Sequence, residues 1–391
     1  MIIILFFIIL TPLYGNSIYF SMDPNSNDYE FIEYNIIANN SYDNLFIFSQ
    51  PYKSSEIDKI LLNSKHKKSF IEKNLILENI IQREVNFMLY PGFTLSDSIG
   101  FKPYAGVASL ISFDNTHLKI HTDFDKRFIS DEYFHGDKES ILTGHIRDSY
   151  MLTNYNNLEF FAGRVNRNFG IVNEYSLIFS NNPYSFDHYG MILSGQKTQF
   201  SFFISRLNDK IDAMDSQGIV IPADSTQNSK RFFGFQNIDL KISEKFQCSF
   251  SQSVIYGGPN QSFEGPFINP VNFFYADQRN SNIQMNVLLK LSLLYNIFNK
   301  NSIFFELLVD DYILNNDHPN ETLESPHRLG FISKYSIADF FIKESLLSLV
   351  YTKISNQTYT SFRDYENYTY QLKGIGYPYN SYESIKSSLS L

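Results

Sequence analysis

Two neighbouring segments in the second half of the chain alternate strictly between apolar and polar residues, and this period of two constrains the fold most. The apolar positions are Val287, Leu289, Leu291, Leu293, Tyr295 and Ile297 in the first segment and Ile303, Phe305, Leu307 and Val309 in the second. Successive side chains of a strand point to opposite faces, so each segment is predicted to be a strand with one apolar face. The polar residues 299–302 between the segments predict a short turn.

Such a hairpin occurs in soluble sandwiches and in membrane barrels, which differ in where the apolar face points. Strands of about 9–11 residues joined by short turns are the repeating unit of a transmembrane barrel, whose apolar face contacts lipid. In a barrel, Leu289, Leu291 and Leu293 are expected on the outer surface, whereas a sandwich would bury them between two sheets. The residues of opposite parity expected to face the lumen are Lys290, Asn296, Glu306 and Asp310.

The rest of the chain favours the barrel. Further alternating runs occur at 117–124, 199–205, 237–242 and 246–251, and the breaks between runs are either very short, as at 243–245, or long, as at 208–230 and 257–286. Short turns at one end and long loops at the other are typical of outer-membrane barrels. Aromatic residues make up 17% of the chain, enough to form interfacial girdles. We therefore predict an all-β fold, an antiparallel outer-membrane β-barrel of roughly 14 to 16 strands, over residues 85–391.

The N-terminal part is predicted to be organised differently. Residues 1–15 contain the apolar run Ile2–Leu10, which is too short to span a bilayer and has the size of a signal-peptide core. Residues 16–84 are predicted to form a periplasmic region with short helices, since apolar residues of Ser54–Gln82 recur at helical spacing. These helices are expected to dock at the short-turn end of the barrel. The Ser-rich final run, Tyr382–Leu391, lacks the usual aromatic end of a last strand, so either the barrel is truncated or it closes differently. A truncated barrel would show a gap between the last strand and the first.

Composition excludes several classes of function. The net charge of -9 argues against a nucleic-acid partner, and the single cysteine, Cys248, excludes an intramolecular disulfide and a Cys-built zinc site. We expect no cofactor and no metal. A nucleophilic serine would need a histidine on its face of the lumen, but His145 and Ser149 are about 13 Å apart along a strand. The Gly-x-Ser-x-Gly elbow is also missing, so we do not expect an enzyme.

Several motifs follow one another in an order that resembles a known family. They are Gly163–Gly170, Ser176–Pro183, Asn269–Gln278 and Glu306–Tyr312. In this order they are similar to the Wzi-like capsule assembly proteins of the bacterial outer membrane. The resemblance implies an outer-membrane β-barrel with a periplasmic helical element that binds exported polysaccharide and retains capsule on the cell surface. Its partners would be that polysaccharide and outer-membrane lipid.

A polysaccharide presents hydroxyls and often carboxylates, so its binder needs amides, arginines and exposed rings along a groove. Two loop-rich regions, 164–187 and 257–282, offer such groups and are expected to meet in the mouth of the barrel. The candidate glycan-binding residues are Arg164, Arg167, Asn181, Asn182, Asp187, Asn272, Tyr275, Asp277 and Gln278, with Glu306 and Asp310 beneath them on the lumen wall.

Other interpretations of these residues stay open. Arg164 and Arg167 equally suit ion pairs with Asp187, Glu306 or Asp310, which would make them structural. The Asn-Asn-Pro run at 181–183 has the composition of a turn. A polar lumen is also compatible with a porin-like channel, and a lumenal hydrolase is a third alternative.

Overall fold

The computed structural model describes residues 19, 28–61, 85–96, 100–125, 128–129, 131–134, 136, 138, 143–211, 228–280, 283–311, 327–361 and 363–390. The predicted signal peptide, residues 1–15, lies outside these residues, and so does the part of the predicted helical segment beyond Leu61. Among the described residues, no helix is both long and apolar enough to cross a membrane.

The described chain consists mainly of strands. Its helices are α1 (Asp28–Ala38), α2 (Ser54–Ile60), α3 (Gly265–Ile268) and α4 (Phe274–Asn280), with 3-10 turns at Tyr42–Asn44 and Asp364–Glu366. Its strands are β1 (Val85–Ser96), β2 (Gly100–Phe113), β3 (Thr116–Asp125), β4 (Thr143–Tyr155), β5 (Leu158–Arg164), β6 (Asp187–Ser194), β7 (Thr198–Arg206), β8 (Lys210–Ile211), β9 (Asn228–Ser243), β10 (Phe246–Gly258), β11 (Met285–Phe298), β12 (Asn301–Asp311), β13 (Arg328–Ala338), β14 (Leu346–Ile354), β15 (Thr369–Tyr370), β16 (Lys373–Gly374) and β17 (Tyr382–Ser390).

Fifteen of these strands form one antiparallel sheet. The path runs from β1 to β7, then from β9 to β14, and ends at β17, while β8 pairs with β9 at one edge position. Strands β15 and β16 form a separate small hairpin. Within the described residues no pairing joins β17 to β1, so closure of the sheet through backbone hydrogen bonds is not seen.

The two ends of the sheet differ in the length of their connections, as predicted. At the short-turn end the connections are residues 114–115, 156–157, 195–197, 244–245, 299–300 and 339–345. At the opposite end, the long-loop end, residues 97–99 form one short connection, and the other connections are residues 126–142, 165–186, 207–227, 259–284, 312–327 and 355–381.

The sheet curls around an enclosed interior. Residues 28–61 are a single short segment, yet they contact β5, β10 and β13, which are far apart along the sheet. Lys53 lies 2.7 Å from Glu159 on β5, the side chain of Gln247 on β10 donates to the Tyr42 carbonyl at 2.5 Å, and Glu33 pairs with Lys334 on β13 at 2.7 Å. One segment reaches all three strands only because the sheet wraps around it. The prediction of a barrel is therefore confirmed, and its interior is called the lumen below.

Side chains along each strand alternate between the two faces of this wall. On β11, Leu291 is exposed on the outer face, with Leu289 and Leu293 half-buried beside it, whereas Lys290 and Asn296 are buried in the lumen. The expected orientation of both sets is confirmed. Apolar residues outside and polar residues inside are the arrangement of a membrane barrel, because lipid offers polar side chains no partners.

The N-terminal helices are docked at the short-turn end. The Tyr34 hydroxyl donates to Asp339, in the 339–345 connection, at 3.0 Å, and the Asn39 side chain links α1 to the Ile60 carbonyl of α2 at 3.4 Å. Helix α1 lies within residues 16–84, where short helices were predicted, but the helical spacing was recognised only in Ser54–Gln82. Its inward face includes Glu33, whose charge interrupts the apolar stripe and is neutralised by Lys334.

A buried charge network ties the wall to the interior. Glu306 lies 3.5 Å from Lys290, accepts from Ser292 at 3.2 Å, and accepts from the backbone N–H of Leu177 at 2.5 Å. Both side chains are shielded from water, so each depends on the other. Glu306 also depends on the hydrogen bond from the Leu177 N–H, and Lys290 on the one that it donates to the Phe169 carbonyl.

We expect Glu306→Gln to lower the free energy of unfolding by about 3 kcal/mol, because Lys290 would keep a buried charge without its counter-ion. The measurement is the urea midpoint in detergent micelles. The matched control is Glu383→Gln, which removes the partner of Lys353 from an exposed ion pair and should leave the midpoint unchanged. Equal midpoints for both variants would contradict a stabilising role for the buried network.

Candidate functional site

Residues 165–186, which connect β5 to β6, lie in the lumen. Phe169, Leu177 and Ile178 are buried there, and the Phe169 ring lies 4.4 Å from the ring of Phe235 on the inner face of β9. The Ser176 hydroxyl donates to the Phe169 carbonyl at 2.7 Å, which closes the segment on itself. We call this segment the first plug.

Residues 355–381, which connect β14 to β17, form a second plug above the first. The Tyr359 hydroxyl donates to the Leu177 carbonyl and the Tyr368 hydroxyl donates to the Ile178 carbonyl, both at 2.7 Å. From the wall, Arg231 donates to the Tyr365 carbonyl at 2.8 Å. The two plugs are thus bonded to each other and to the inner face of the sheet.

The N-terminal segment meets the first plug from the opposite end. The backbones of Gln50 and Asn168 exchange two hydrogen bonds, at 3.0 and 3.2 Å, and the Gln50 side chain donates to the Gly170 carbonyl at 2.9 Å. Three segments therefore fill the part of the lumen that the structure describes.

Arg167 lies inside this filling. Its side chain is only 2% exposed, its guanidinium carbon is 4.1 Å from the centre of the Phe203 ring, and its Nε donates to His188 at 2.7 Å. The expectation that Arg167 lies in the mouth of the barrel is wrong, because β5 ends at Arg164 and the chain then turns into the lumen. A solvated glycan cannot reach a side chain that is enclosed in this way.

Arg164 lies instead at the rim of the long-loop end. It is the last residue of β5 and pairs in register with Asp187, the first residue of β6. Their side chains form an ion pair at 2.5 Å and are 27% and 48% exposed, respectively. The structure thus agrees with the alternative in which Asp187 neutralises Arg164, although both groups remain open to solvent.

Glu306 and Asp310 lie on the lumen wall, as expected, but the plugs use their acceptor oxygens. Glu306 bonds to residue 177, and Asp310 accepts from the backbone N–H of Tyr359 at 2.7 Å. Asn181 and Asn182 are half-buried near the upper surface of the first plug, where Asn182 donates to the Gly374 carbonyl at 2.8 Å.

Residues 272–278 are on the other side of the wall. The Gln252 side chain, which points outward from β10, donates to the Asn272 carbonyl at 2.8 Å. Asn272 in turn donates to Asp277, the Gln278 side chain donates to the Met285 carbonyl at 3.4 Å, and Tyr275 packs on the same outer surface. The expectation that regions 164–187 and 257–282 meet in the mouth is therefore wrong.

A group of side chains from three long loops gathers at the mouth, and of its members only Asn182 was a candidate from the sequence. This mouth cluster comprises Asp131, Tyr133, Asn182, Tyr184 and Lys373. The Lys373 ammonium lies 4.2 Å from the centre of the Tyr184 ring, 5.6 Å from that of Tyr133 and 3.6 Å from Asp131. The Tyr184 hydroxyl donates to Asp131, and the Tyr133 ring is 47% exposed.

Aromatic rings support the cluster from below. The Tyr184 ring lies 4.9 Å from His145 and 5.6 Å from Phe134, and Phe128 stacks on Phe134 at 4.9 Å. Such packing fixes the orientation of Tyr184 and hence that of its hydroxyl.

The charge state of Asp131 follows from its neighbours. Burial opposes its ionisation, but hydrogen bonds from the Tyr184 hydroxyl and the Tyr133 N–H, together with the Lys373 ammonium, hold the pKa of this carboxyl below its ordinary value. Asp131 is therefore ionised at neutral pH and links the 128–138 loop to the second plug.

The mouth cluster has the groups that sugar recognition requires. An exposed tyrosine ring packs against the apolar face of a pyranose, the asparagine amide and tyrosine hydroxyl bond to sugar hydroxyls, and the ammonium attracts a sugar carboxylate.

We expect Asp131→Asn to loosen the link between the loop and the second plug, because the variant mimics the protonated carboxyl. Because the pKa of Asp131 is lowered in the folded protein, the wild-type link is present at neutral pH. It is lost as the pH falls through the pKa of Asp131. Amide hydrogen exchange at neutral pH should quicken in peptides covering 128–138 and 368–376. Asp209→Asn, in an exposed pair with Arg206, is the control, and exchange no faster than in that control would contradict the link.

Comparisons with known proteins agree with this fold. A solved structure of Wzi from Escherichia coli, an outer-membrane protein involved in group 1 capsule assembly and described as a carbohydrate-binding β-barrel, is similar with a TM-score of 0.60. Its sequence identity is 11%, over 93% of this chain and 80% of that chain. No curated protein sequence matches the chain significantly.

Channel structures are less similar. The outer-membrane channel DcaP of Acinetobacter baumannii has a TM-score of 0.33 and 12% identity, over 69% of this chain and 91% of that chain. An anion-selective porin from Comamonas acidovorans has a TM-score of 0.34 and 7% identity, over 78% and 98%.

The family model described as capsule assembly protein Wzi matches residues 116–381, more than half of the chain. This match includes β3 to β14 and both plugs. With the barrel fold, it indicates the bacterial outer membrane as the location of the protein. The chain belongs to the Wzi family of capsule assembly proteins.

Proposed function

We propose that this outer-membrane barrel binds exported polysaccharide at its mouth cluster and helps to assemble or retain capsule at the cell surface. The observation that carries the proposal is a half-exposed Tyr133 ring beside Lys373 and Asp131, on top of a filled lumen. Membership of a capsule assembly family, which is not a family of enzymes, supports it. So does the carbohydrate binding stated for the Escherichia coli protein.

The lengths of the loops support a location of this cluster on the outside of the cell. Outer-membrane barrels have short periplasmic turns and longer extracellular loops. The mouth cluster is built from the 126–142, 165–186 and 355–381 loops, all at the long-loop end. By the same rule, we propose that helices α1 and α2 lie on the periplasmic side, the side expected from the sequence for residues 16–84.

The glycan-binding surface is proposed to extend along the rim. Of the candidates from sequence, we retain Asn181, Asn182, Arg164 and Asp187, because they lie on the mouth side or are open to solvent at the rim. Hairpin β15–β16 lies between the mouth cluster and the rim. It carries Lys373, and its Tyr370 ring lies 4.9 Å from the ring of Phe186, the residue before Asp187. A repeating polymer can contact several such groups at once, so modest contacts add through multivalency.

The filled lumen favours binding over a porin-like channel. Arg167, Phe169 and Tyr368 are buried side chains from the plugs and occupy the place where a channel would hold water. Hydrogen bonds between the two plugs, and from Arg231 of the wall to the second plug, make displacement of the plugs costly.

We expect Tyr133→Ala and Lys373→Ala each to weaken polysaccharide binding by about 2- to 10-fold, the range for one aromatic or charged contact. The measurement is biolayer interferometry of the purified protein with capsular polysaccharide, together with the capsule retained by cells at equal protein levels. Phe341→Ala, which removes an exposed ring at the short-turn end, is the matched control. Binding equal to that of the control in both variants would contradict the proposed site.

We also expect the wild-type protein to show no stepwise conductance in planar lipid bilayers, because the plugs occupy the lumen. The same is expected of a variant with residues 359–377 replaced by a short Gly-Ser linker, because the first plug and the N-terminal segment still occupy the lumen. Stepwise channels in the wild type would instead support the porin-like alternative.

A further inference from the structure

The long connection between β10 and β11 folds onto the outside of the wall. Helices α3 and α4 bury Phe267 and Phe274 against an apolar patch on β9, β10 and β11. The residues of that patch are Phe232, Val254, Tyr256, Met285 and Val287. All five have outward parity, the parity of the exposed Phe250 and Leu291, so this packing lies outside the lumen. We call residues 261–280 the outer-wall cap.

Two glutamines hold the outer-wall cap in place. Gln236 and Gln252 face each other in register on β9 and β10, and the Gln252 side chain donates to that of Gln236 at 2.7 Å. Gln236 donates to the Asn269 carbonyl at 3.3 Å, and Gln252 both donates to the Asn272 carbonyl and accepts from the Phe274 N–H at 3.0 Å. Both glutamines are buried.

This arrangement is informative because a polar amide on the outer face of a membrane barrel is costly in lipid. The amides of Gln236 and Gln252 bond to the backbone of the outer-wall cap, which also covers the apolar surface around them. The cap is therefore a fixed part of the outer wall near the long-loop end and is not a loop directed away from it.

The outer-wall cap exposes several large apolar side chains. They are Phe263, Ile268, Val271 and Phe273, and Val271 is 81% exposed. The polar residues Ser262, Asn269 and Asn280 are exposed as well. The uncovered wall directly below, towards the short-turn end, exposes Ile238, Phe250 and Leu291. On each strand, these residues lie on the same face as the covered residues and next to them in the direction of the short-turn end. One apolar surface therefore continues from the lipid-facing wall onto the cap.

We propose that the outer-wall cap is a lipid-binding element whose exposed side chains contact fatty acyl chains of the outer leaflet beside the rim. Continuity with the lipid-facing wall identifies the occupant, since acyl chains already cover Leu291 and its neighbours. A cluster of large apolar side chains at this position would otherwise be exposed to water, which soluble surfaces avoid. The cap thus extends the lipid-contacting surface above the strands without touching the lumen.

The absence of tryptophan from the chain allows a direct test. Single tryptophans are introduced as Val271→Trp in the cap, Leu291→Trp in the lipid-facing wall and Tyr133→Trp at the mouth. Each full-length variant is refolded into vesicles of phosphatidylcholine with or without bromine on the acyl chains, and the loss of fluorescence is compared. We expect Val271→Trp to lose at least half as large a fraction as Leu291→Trp, and Tyr133→Trp to lose little.

Quenching of Val271→Trp no greater than that of Tyr133→Trp would overturn the proposal. Phe273→Trp provides a second probe should Val271→Trp fail to fold. A dimer would be detected by chemical cross-linking of the same variants. If neither probe is quenched, and both variants form a cross-linked dimer that Val271→Asp abolishes, the cap contacts a second copy of the chain. The proposal that it contacts lipid would then be wrong. None of these measurements uses polysaccharide, so their outcome is independent of the proposed function.

Discussion

Lysines on the inner face of the wall donate to backbone carbonyls of the segments that fill the lumen. Lys290 bonds to the carbonyl of Phe169, Lys334 to that of Val172 at 2.9 Å, and Lys241 to that of Asp43 at 2.8 Å. A buried ammonium needs acceptors, and an irregular backbone enclosed by a barrel needs donors, so each satisfies the other. The fixed positions of the plugs, and hence of everything built on them, depend on these bonds.

This dependence explains how a barrel fold carries a recognition surface. The first plug, bonded to the wall through Lys290 and Glu306, supports the second plug through Leu177 and Ile178. The second plug carries Lys373 to the mouth, where it meets residues of two other loops. A preorganised surface loses less conformational entropy on binding than free loops would, which favours recognition of a weakly binding polymer.

The period of two was enough to predict the strands, the two ends of the barrel and the lumen position of Lys290 and Glu306, because these follow from local geometry. It could not predict the paths of the long loops, which depend on contacts between residues far apart in sequence. Asp131, Tyr184 and Lys373 come from three such loops, and no motif links them. The alternation also predicted that Val287 faces lipid, whereas the outer-wall cap covers this residue. Gln236 and Gln252, polar residues on the apolar parity of β9 and β10, were local signs of that cover.

Because the wall is a single sheet, consecutive residues of one strand contact different structures on its inner and outer faces. On β10, Ser253 accepts from the Tyr368 hydroxyl of the second plug, while the adjacent Gln252 bonds to the outer-wall cap. The two apolar clusters on either side share no residue, since one surrounds Phe233 and Phe235 in the lumen and the other surrounds Phe232 outside. Substitutions on one parity therefore act on the plugs and those on the other act on the cap. The proposed glycan binding at the mouth and the proposed contact of the outer-wall cap with lipid can in this way change independently, although both surfaces are anchored to the same strands.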